Sequence, residues 1–126
     1  MQAGRSGKRK AAMGLVLCTL LAGCGEEIAQ PSASAAARVP ESAALAQLYA
    51  TSCKQCHANP AAGAPLTGDT VAWAPRIDKG MDTLLDHSIN GFQGMPPMGM
   101  CMQCSEQQFR ALIGFMAALP HDAEGH

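Results

Sequence analysis

The pentapeptide C-K-Q-C-H at positions 53–57 constrains this chain more than any other feature. The order C-x-x-C-H is the signature at which a c-type haem is attached. On a helix, positions three and four residues apart share a face, so Cys53 and Cys56 can reach one haem edge while His57 turns toward the iron. The pentapeptide therefore predicts one covalent haem c. A redox dithiol and one half of a zinc site are the alternatives that it leaves open.

The first 23 residues have the pattern of a targeting segment. A basic stretch at positions 5–10 precedes an apolar stretch at 11–20, which is too short to span a bilayer as a helix. The next four residues are L-A-G-C, ending at Cys24, and they resemble the lipobox of bacterial lipoproteins. We predict that residues 1–23 are removed and that lipidated Cys24 anchors the exported chain to a membrane on the periplasmic side. The alternative is an ordinary secretory signal with a chance cysteine.

The net charge of the chain changes once the predicted signal is removed. The full sequence has 9 Lys and Arg residues and 10 Asp and Glu residues. The signal holds four of the basic residues and none of the acidic ones, which leaves five against ten and a net charge near −5. An acidic surface argues against nucleic acid as a partner. It fits a redox protein that has a basic docking face.

Composition divides the rest of the chain into three parts. Residues 24–40 have little apolar bulk and many small residues, which predicts a lipidated N-terminus and a flexible linker. A helical start within the alanine run at 35–37 is the alternative. Residues 41–120 form one predicted domain, and residues 121–126 a polar C-terminal tail. A domain this small has a limited apolar core of its own, which a haem would supplement.

Helical periodicity runs through the predicted domain, and no segment alternates as a strand would. Three helices are predicted before the last one, at 42–50, 69–73 and 82–90. Pro75 is expected to stop the second of them, because proline lacks the backbone N–H that a helix needs. Ser105 and Gln108 form a capping box at the start of the last helix.

With these segments placed, the chain resembles a class I cytochrome c and, within that class, the cytochrome c5 group. The motifs that carry the resemblance are C-K-Q-C-H, A-P-L at 64–66, A-W-A-P-R at 72–76 and M-P-P at 95–97. The resemblance implies an all-α domain in which the N- and C-terminal helices cross and loops wrap the haem. It also implies single-electron transfer, with no enzymatic activity and no small-molecule substrate.

The resemblance assigns roles to the residues that would bind the haem. Cys53 and Cys56 would form the thioethers, and His57 would be the proximal iron ligand. The carbonyl of Pro65 would accept a hydrogen bond from the His57 ring, which orients the imidazole and makes it a better donor. Met95 would be the distal ligand, since a thioether is a soft ligand for haem iron.

The resemblance also implies roles for two further residues, and two other residues are rival candidates for the distal ligand. Trp73 and Arg76 would lie near the haem propionates, where an N–H donor and a positive charge are needed. Core packing for Trp73 and simple surface exposure for Arg76 are the alternatives. Met98 is the main rival of Met95 as distal ligand, and His87 is a rival in principle.

The remaining cysteine pair, Cys101 and Cys104, has the spacing C-x-x-C. In a compartment that permits disulfides we expect these two residues to pair with each other, as in some cytochromes c5. A working redox dithiol is one alternative. A zinc site that shares Cys53 and Cys56 is another, although the 44 intervening residues are many for such a site.

We therefore expect a one-electron carrier of a bacterial respiratory chain. Its donor would be a quinol-oxidising complex, and its acceptor a terminal oxidase or another reductase. The alternative of a different class is a haem sensor or enzyme in which the distal ligand is displaceable.

Overall fold

Six α-helices make up most of residues 31–120, the part of the chain that the computed structural model describes. Their bounds are α1 Pro31–Ala37, α2 Ala43–Thr51, α3 Lys54–His57, α4 Thr70–Ile77, α5 Met81–Asn90 and α6 Glu106–Met116. Short 3₁₀ turns lie at Pro60–Ala62 and Pro97–Met100, and residues 31–120 contain no strand. The all-α prediction is confirmed. The predicted signal, Cys24 and the tail at 121–126 lie outside the described residues.

Helices α2 and α6 pack against each other, as expected for the first and last helices of the predicted domain. The Oγ of Ser42 accepts from the backbone N–H of Leu45 and caps the start of α2. Tyr49, near the end of α2, is fully buried and meets Phe115 of α6 edge to face, with ring centroids 5.1 Å apart. This geometry is one that aromatic pairs favour. This contact holds α2 and α6 together.

Helix α4 continues through Pro75, so the prediction that Pro75 stops it is wrong. Its start is fixed by Asp69, whose carboxylate accepts from the N–H of Ala72 at 3.0 Å. Proline removes one helical donor, the one that would bond the carbonyl of Val71. Val71 is 83% exposed, so water can satisfy that carbonyl. The helix ends instead at Ile77, two residues after the proline.

The structure also differs from the expected flexible linker over Pro31–Ala37, which is helix α1. Alanine is the strongest helix former, and this segment contains four alanines. Ala35 is fully buried. The side chain of Arg38, which follows α1, lies against Gly68 so closely that it leaves no room for a Cβ there. The second part of the predicted linker is therefore packed onto the domain.

Within residues 31–120, no helix combines the length and the apolar character needed to cross a membrane.

The capping box of α6 provides a test of this fold. Ser105 Oγ accepts from the N–H of Gln108 at 3.2 Å, and the Gln108 side chain accepts from the N–H of Ser105 at 2.8 Å. We expect Ser105→Ala to lower the free energy of unfolding of the haem-loaded protein by about 1 kcal/mol. Gln107→Ala, at an exposed position of the same turn, is the control and should change it by less than about 0.5 kcal/mol. Equal effects in a denaturant titration would contradict the capping role.

Candidate haem site

One cavity brings the residues of the pentapeptide together with Met95. Cys53, Cys56 and His57 line it on one side. Cys53 precedes α3 with helical backbone angles, and the N–H of His57 donates to its carbonyl at 2.9 Å. The three side chains therefore have the helical spacing that the sequence predicts. Both cysteines are free thiols, and burial raises the pKa of Cys53 to about 11.

The imidazole of His57 is held by the backbone at one edge. Its Nδ1 lies 2.8 Å from the carbonyl oxygen of Pro65, as the resemblance implied. Because a carbonyl only accepts, Nδ1 carries the proton and Nε2 keeps its lone pair. Burial lowers the pKa of His57, so the ring stays neutral near pH 7. A neutral imidazole with a free Nε2 is the form that binds a metal.

The indole of Trp73 covers one face of the same imidazole. The two ring centroids are 5.6 Å apart and the ring planes differ by 25°. The indole N–H donates to the carbonyl of Leu66 at 2.9 Å. The structure thus gives this N–H a partner other than the propionate that the resemblance implied. The reason is local, since α4 places the indole directly beside the loop that contains Pro65 and Leu66.

The charged side chains that line the cavity are both basic. Arg76 lies on α4 and donates to the carbonyl of Ala72 at 2.6 Å. Lys79 follows three residues later and stands 5.7 Å from the centre of the Phe92 ring. The described lining residues include no carboxylate. The cavity therefore suits a large apolar group that carries negative charge, and its lining offers two thiols for covalent attachment and an imidazole and a thioether as candidate iron ligands.

The four methionines of the loop that follows α5 have different places. Met95 lines the cavity, and its backbone exchanges two hydrogen bonds with Phe92, at 2.9 and 3.0 Å. Met98 packs against the hydrophobic core and is not among the lining residues. Met100 lines the cavity although it is 61% exposed. Met102 is 74% exposed and lies outside the cavity lining. Of these four loop methionines, Met95 and Met100 therefore line the cavity, and Met116 of α6 lines it as well.

A left-handed turn and a disulfide follow Met95. The φ angles of Met98, Gly99 and Met100 are 60°, 51° and 63°. Such angles cost about 1 kcal/mol or more for each non-glycine residue, so neighbouring structure must impose them. The carbonyl of Met98 accepts from the N–H of Cys101 at 2.8 Å, and Cys101 is fully buried in a disulfide with Cys104. The covalent bond pins the end of the turn to the core.

The same disulfide leaves two free thiols, Cys53 and Cys56, in the described part of the chain. A four-cysteine zinc site needs four thiolates. Within residues 31–120 no group of three or more His, Cys, Asp or Glu side chains is arranged to hold a metal ion. The zinc alternative is therefore wrong for this structure.

Sequence reasoning did not assign Lys79 and Phe92 to the site, and it named His87 only as a rival ligand. Lys79 follows the end of α4, so no helical spacing relates it to Arg76. His87 stacks on Phe92 with ring centroids 3.9 Å apart, and both rings line the cavity. That pairing depends on the turn between α5 and Met95, which no local pattern specifies.

Comparison with known proteins places the chain in a family. The model of the family described as "Cytochrome C oxidase, cbb3-type, subunit III" matches residues 40–116, which is more than half of the chain. Cytochrome c5 of Azotobacter vinelandii is 42% identical over 69 residues, which are 53% of this chain and 83% of that protein. Cytochrome c5 of Ectopseudomonas mendocina is 40% identical over 74 residues, 57% of this chain and 85% of that protein.

A further relative and a solved structure are also similar to this chain. Cytochrome c-555 of Chlorobaculum tepidum is 39% identical over 80 residues, 60% of this chain and 74% of that protein. A chain in the crystal structure of the electron transfer complex of nitrite reductase with cytochrome c is 36% identical. The match covers 64% of this chain and 96% of that one, with a TM-score of 0.54.

The fold and these relatives define a class I c-type cytochrome with covalently attached haem c, an electron carrier and not an enzyme. The chain belongs to the family whose model matches residues 40–116 and, among the c-type cytochromes, to the cytochrome c5 family.

Gly99 offers a test of how Met95 is positioned. A Cβ at Gly99 would lie 2.8 Å from the Cε of Met95, and φ there is +51°. We expect Gly99→Ala to lower the free energy of unfolding of the haem-loaded protein by about 1 kcal/mol because of the left-handed φ. The same change should also shift the NMR resonance of the Met95 methyl group.

Gly94→Ala is the matched control, since a Cβ at that position would meet nothing within 4 Å. It should leave the methyl resonance in place. If both variants left the Met95 methyl unchanged, Gly99 would have no part in its position.

Proposed function

We propose that haem c is attached through Cys53 and Cys56, that His57 and Met95 are its axial ligands, and that the protein carries single electrons in a bacterial respiratory chain. The observation that supports this proposal best is that all four side chains line one cavity. The hydrogen bond from His57 to Pro65 adds to it, because the bond leaves Nε2 free to face iron.

The chemistry of such a site is a change of valence. A haem held by His57 and Met95 would supply single-electron exchange without binding a substrate, because both residues would ligate its iron. His57 supplies a nitrogen donor whose orientation is set by Pro65. Met95 supplies a soft thioether, which favours the ferrous state relative to a second histidine. The surrounding apolar wall, which includes Phe109 and Leu112, keeps water away from the iron ligands.

The haem propionates are assigned to the basic side of the cavity. Arg76 and Lys79 are the charged residues of the lining. A carboxylate in a partly buried site needs a donor or a positive charge, and both side chains provide these. Trp73 near the propionates stays a prediction, and its N–H donates to the Leu66 carbonyl.

The partners are other redox proteins. A relative of known structure was crystallised in an electron transfer complex with nitrite reductase, which supports a reductase as an acceptor. We assign a quinol-oxidising complex as the donor and a terminal oxidase or another reductase as the acceptor. The mature chain has an acidic balance near −5, which fits a basic docking face on such a partner.

The compartment is the periplasm, with the chain held at a membrane by lipid on Cys24. The signal-like pattern of residues 1–23 and the L-A-G-C sequence support this placement. A disulfide between Cys101 and Cys104 fits an oxidising compartment.

Replacement of Met95 tests the ligand assignment. The ferric protein, made with haem-attachment machinery, should show the weak near-infrared band of methionine bound to low-spin iron. We expect Met95→Ala to abolish this band and to give the ferrous protein rapid carbon monoxide binding, since one axial position is then open. Optical spectra of the oxidised and reduced protein provide both measurements.

Met98→Ala and Met100→Ala are the controls, and both should keep the band. Loss of the band in either control, with survival in Met95→Ala, would move the ligand to that methionine. Rapid carbon monoxide binding by the wild-type ferrous protein would contradict a carrier with two fixed ligands and favour a sensor.

Replacement of Cys24 tests the anchor. We expect Cys24→Ser to move the haem-containing protein from the membrane fraction to the soluble periplasmic fraction, because the acyl chains that hold it are lost. Cys18→Ser, within the signal, should leave it in the membrane fraction. Mass spectrometry of the mature N-terminus should find acyl groups on Cys24, and an unmodified N-terminus downstream of Cys24 would exclude the lipid anchor.

A further inference from the structure

The imidazole of His57 is held from two directions, by a hydrogen bond at its edge and by a ring against its face. The edge contact runs from Nδ1 to the Pro65 carbonyl at 2.8 Å. The face contact is the indole of Trp73, with ring centroids 5.6 Å apart. His57 and Trp73 are 7% and 5% exposed. Water therefore competes weakly for either contact, and small shifts of these groups change the strength of the hydrogen bond.

Trp73 also bonds the loop that contains the acceptor of His57. The indole N–H donates to Leu66, whose carbonyl is the next one after that of Pro65. Two consecutive carbonyls thus receive N–H groups from two stacked rings. These contacts form a closed circuit. His57 is hydrogen-bonded to Pro65, the next residue Leu66 is hydrogen-bonded to Trp73, and the indole of Trp73 stacks on the imidazole of His57.

The position of the indole is itself fixed by the start of α4. Asp69 accepts from the N–H of Ala72 at 3.0 Å and donates its own N–H to the Leu66 carbonyl at 3.0 Å. The backbone N–H of Trp73 donates to the carbonyl of Asp69 at 3.0 Å. Helix α4 and the loop at 65–66 are therefore one interlocked unit, and a purely apolar side chain at position 73 would lack the bond that ties the indole to that loop.

Building on the proposed ligand role of His57, we propose that Trp73 is a positioning residue that sets the strength of the His57–Pro65 hydrogen bond. A strong Nδ1–H···O bond makes the imidazole a more basic donor. A more basic donor stabilises the higher charge of ferric iron. Loss of the indole N–H removes one of the two bonds that hold the Leu66 carbonyl, so the adjacent Pro65 carbonyl can shift. That shift weakens the bond to His57 and moves the redox equilibrium toward the ferrous state.

The test removes the indole N–H and keeps the ring. β-(3-benzothienyl)alanine, in which sulfur replaces the N–H group of tryptophan, is introduced at position 73 of the haem-loaded protein. The Leu66 carbonyl keeps the Asp69 N–H as a donor, so this replacement leaves no buried acceptor unpaired. Trp73→Phe is the second variant, since it also keeps an aromatic face without the donor.

Two quantities are measured, the hydrogen-exchange rate of the His57 Nδ1 proton by NMR of the ferrous protein and the equilibrium midpoint potential. We expect this proton to exchange about fivefold faster in both variants, because a factor of about five corresponds to the net free energy of one neutral hydrogen bond. We expect the equilibrium constant for reduction to rise by up to the same factor, which is about 40 mV at 59 mV per decade.

Ser105→Ala is the control, because Ser105 caps α6 and is not a lining residue of the cavity. It should lower the free energy of unfolding without changing either quantity. Unchanged exchange and unchanged potential in the benzothienyl variant would overturn the proposal and leave Trp73 as core packing. A wild-type spectrum without low-spin histidine-ligated haem would instead show that the proposed function has failed, and the role of Trp73 with it.

Discussion

The hydrogen bond between the His57 ring and the Pro65 carbonyl links the site to the rest of the molecule. The same loop returns to the histidine at Thr67, whose N–H donates to the His57 carbonyl at 2.8 Å. The Thr67 hydroxyl pairs with that of buried Tyr49 at 2.8 Å, and the N–H of Gly68 donates to Met116 of α6 at 2.7 Å. One loop thus connects the imidazole to both packed helices, so the orientation of the ring depends on the whole helical frame.

The two sides of the cavity are stabilised in different ways. The side that holds His57 depends on hydrogen bonds to backbone carbonyls, which fix the direction of a ring. The side that holds Met95 depends on a left-handed turn that ends at the buried Cys101–Cys104 disulfide. A thioether has little directionality and several rotatable bonds, so its position has to come from the backbone that carries it.

Local signals in the sequence were sufficient for helices α2, α5 and α6 and for the attachment motif. The Ser105 capping box and the apolar stripe of α6 act within a few residues, and so does the spacing of the pentapeptide. Contacts between distant segments were not predictable in this way. The continuation of α4 past Pro75 at a surface where Val71 is exposed, the bond from Trp73 to Leu66 and the presence of Met100 in the cavity all depend on tertiary placement.

The burial of Cys53 bears on the reactivity of its thiol. A thiol reacts mainly as its thiolate, and burial in the folded chain raises the pKa of Cys53 to about 11. In an unfolded chain the same thiol is solvated and ionises near its ordinary value. The environment that the folded chain gives to Cys53 therefore disfavours the reactive form of this side chain.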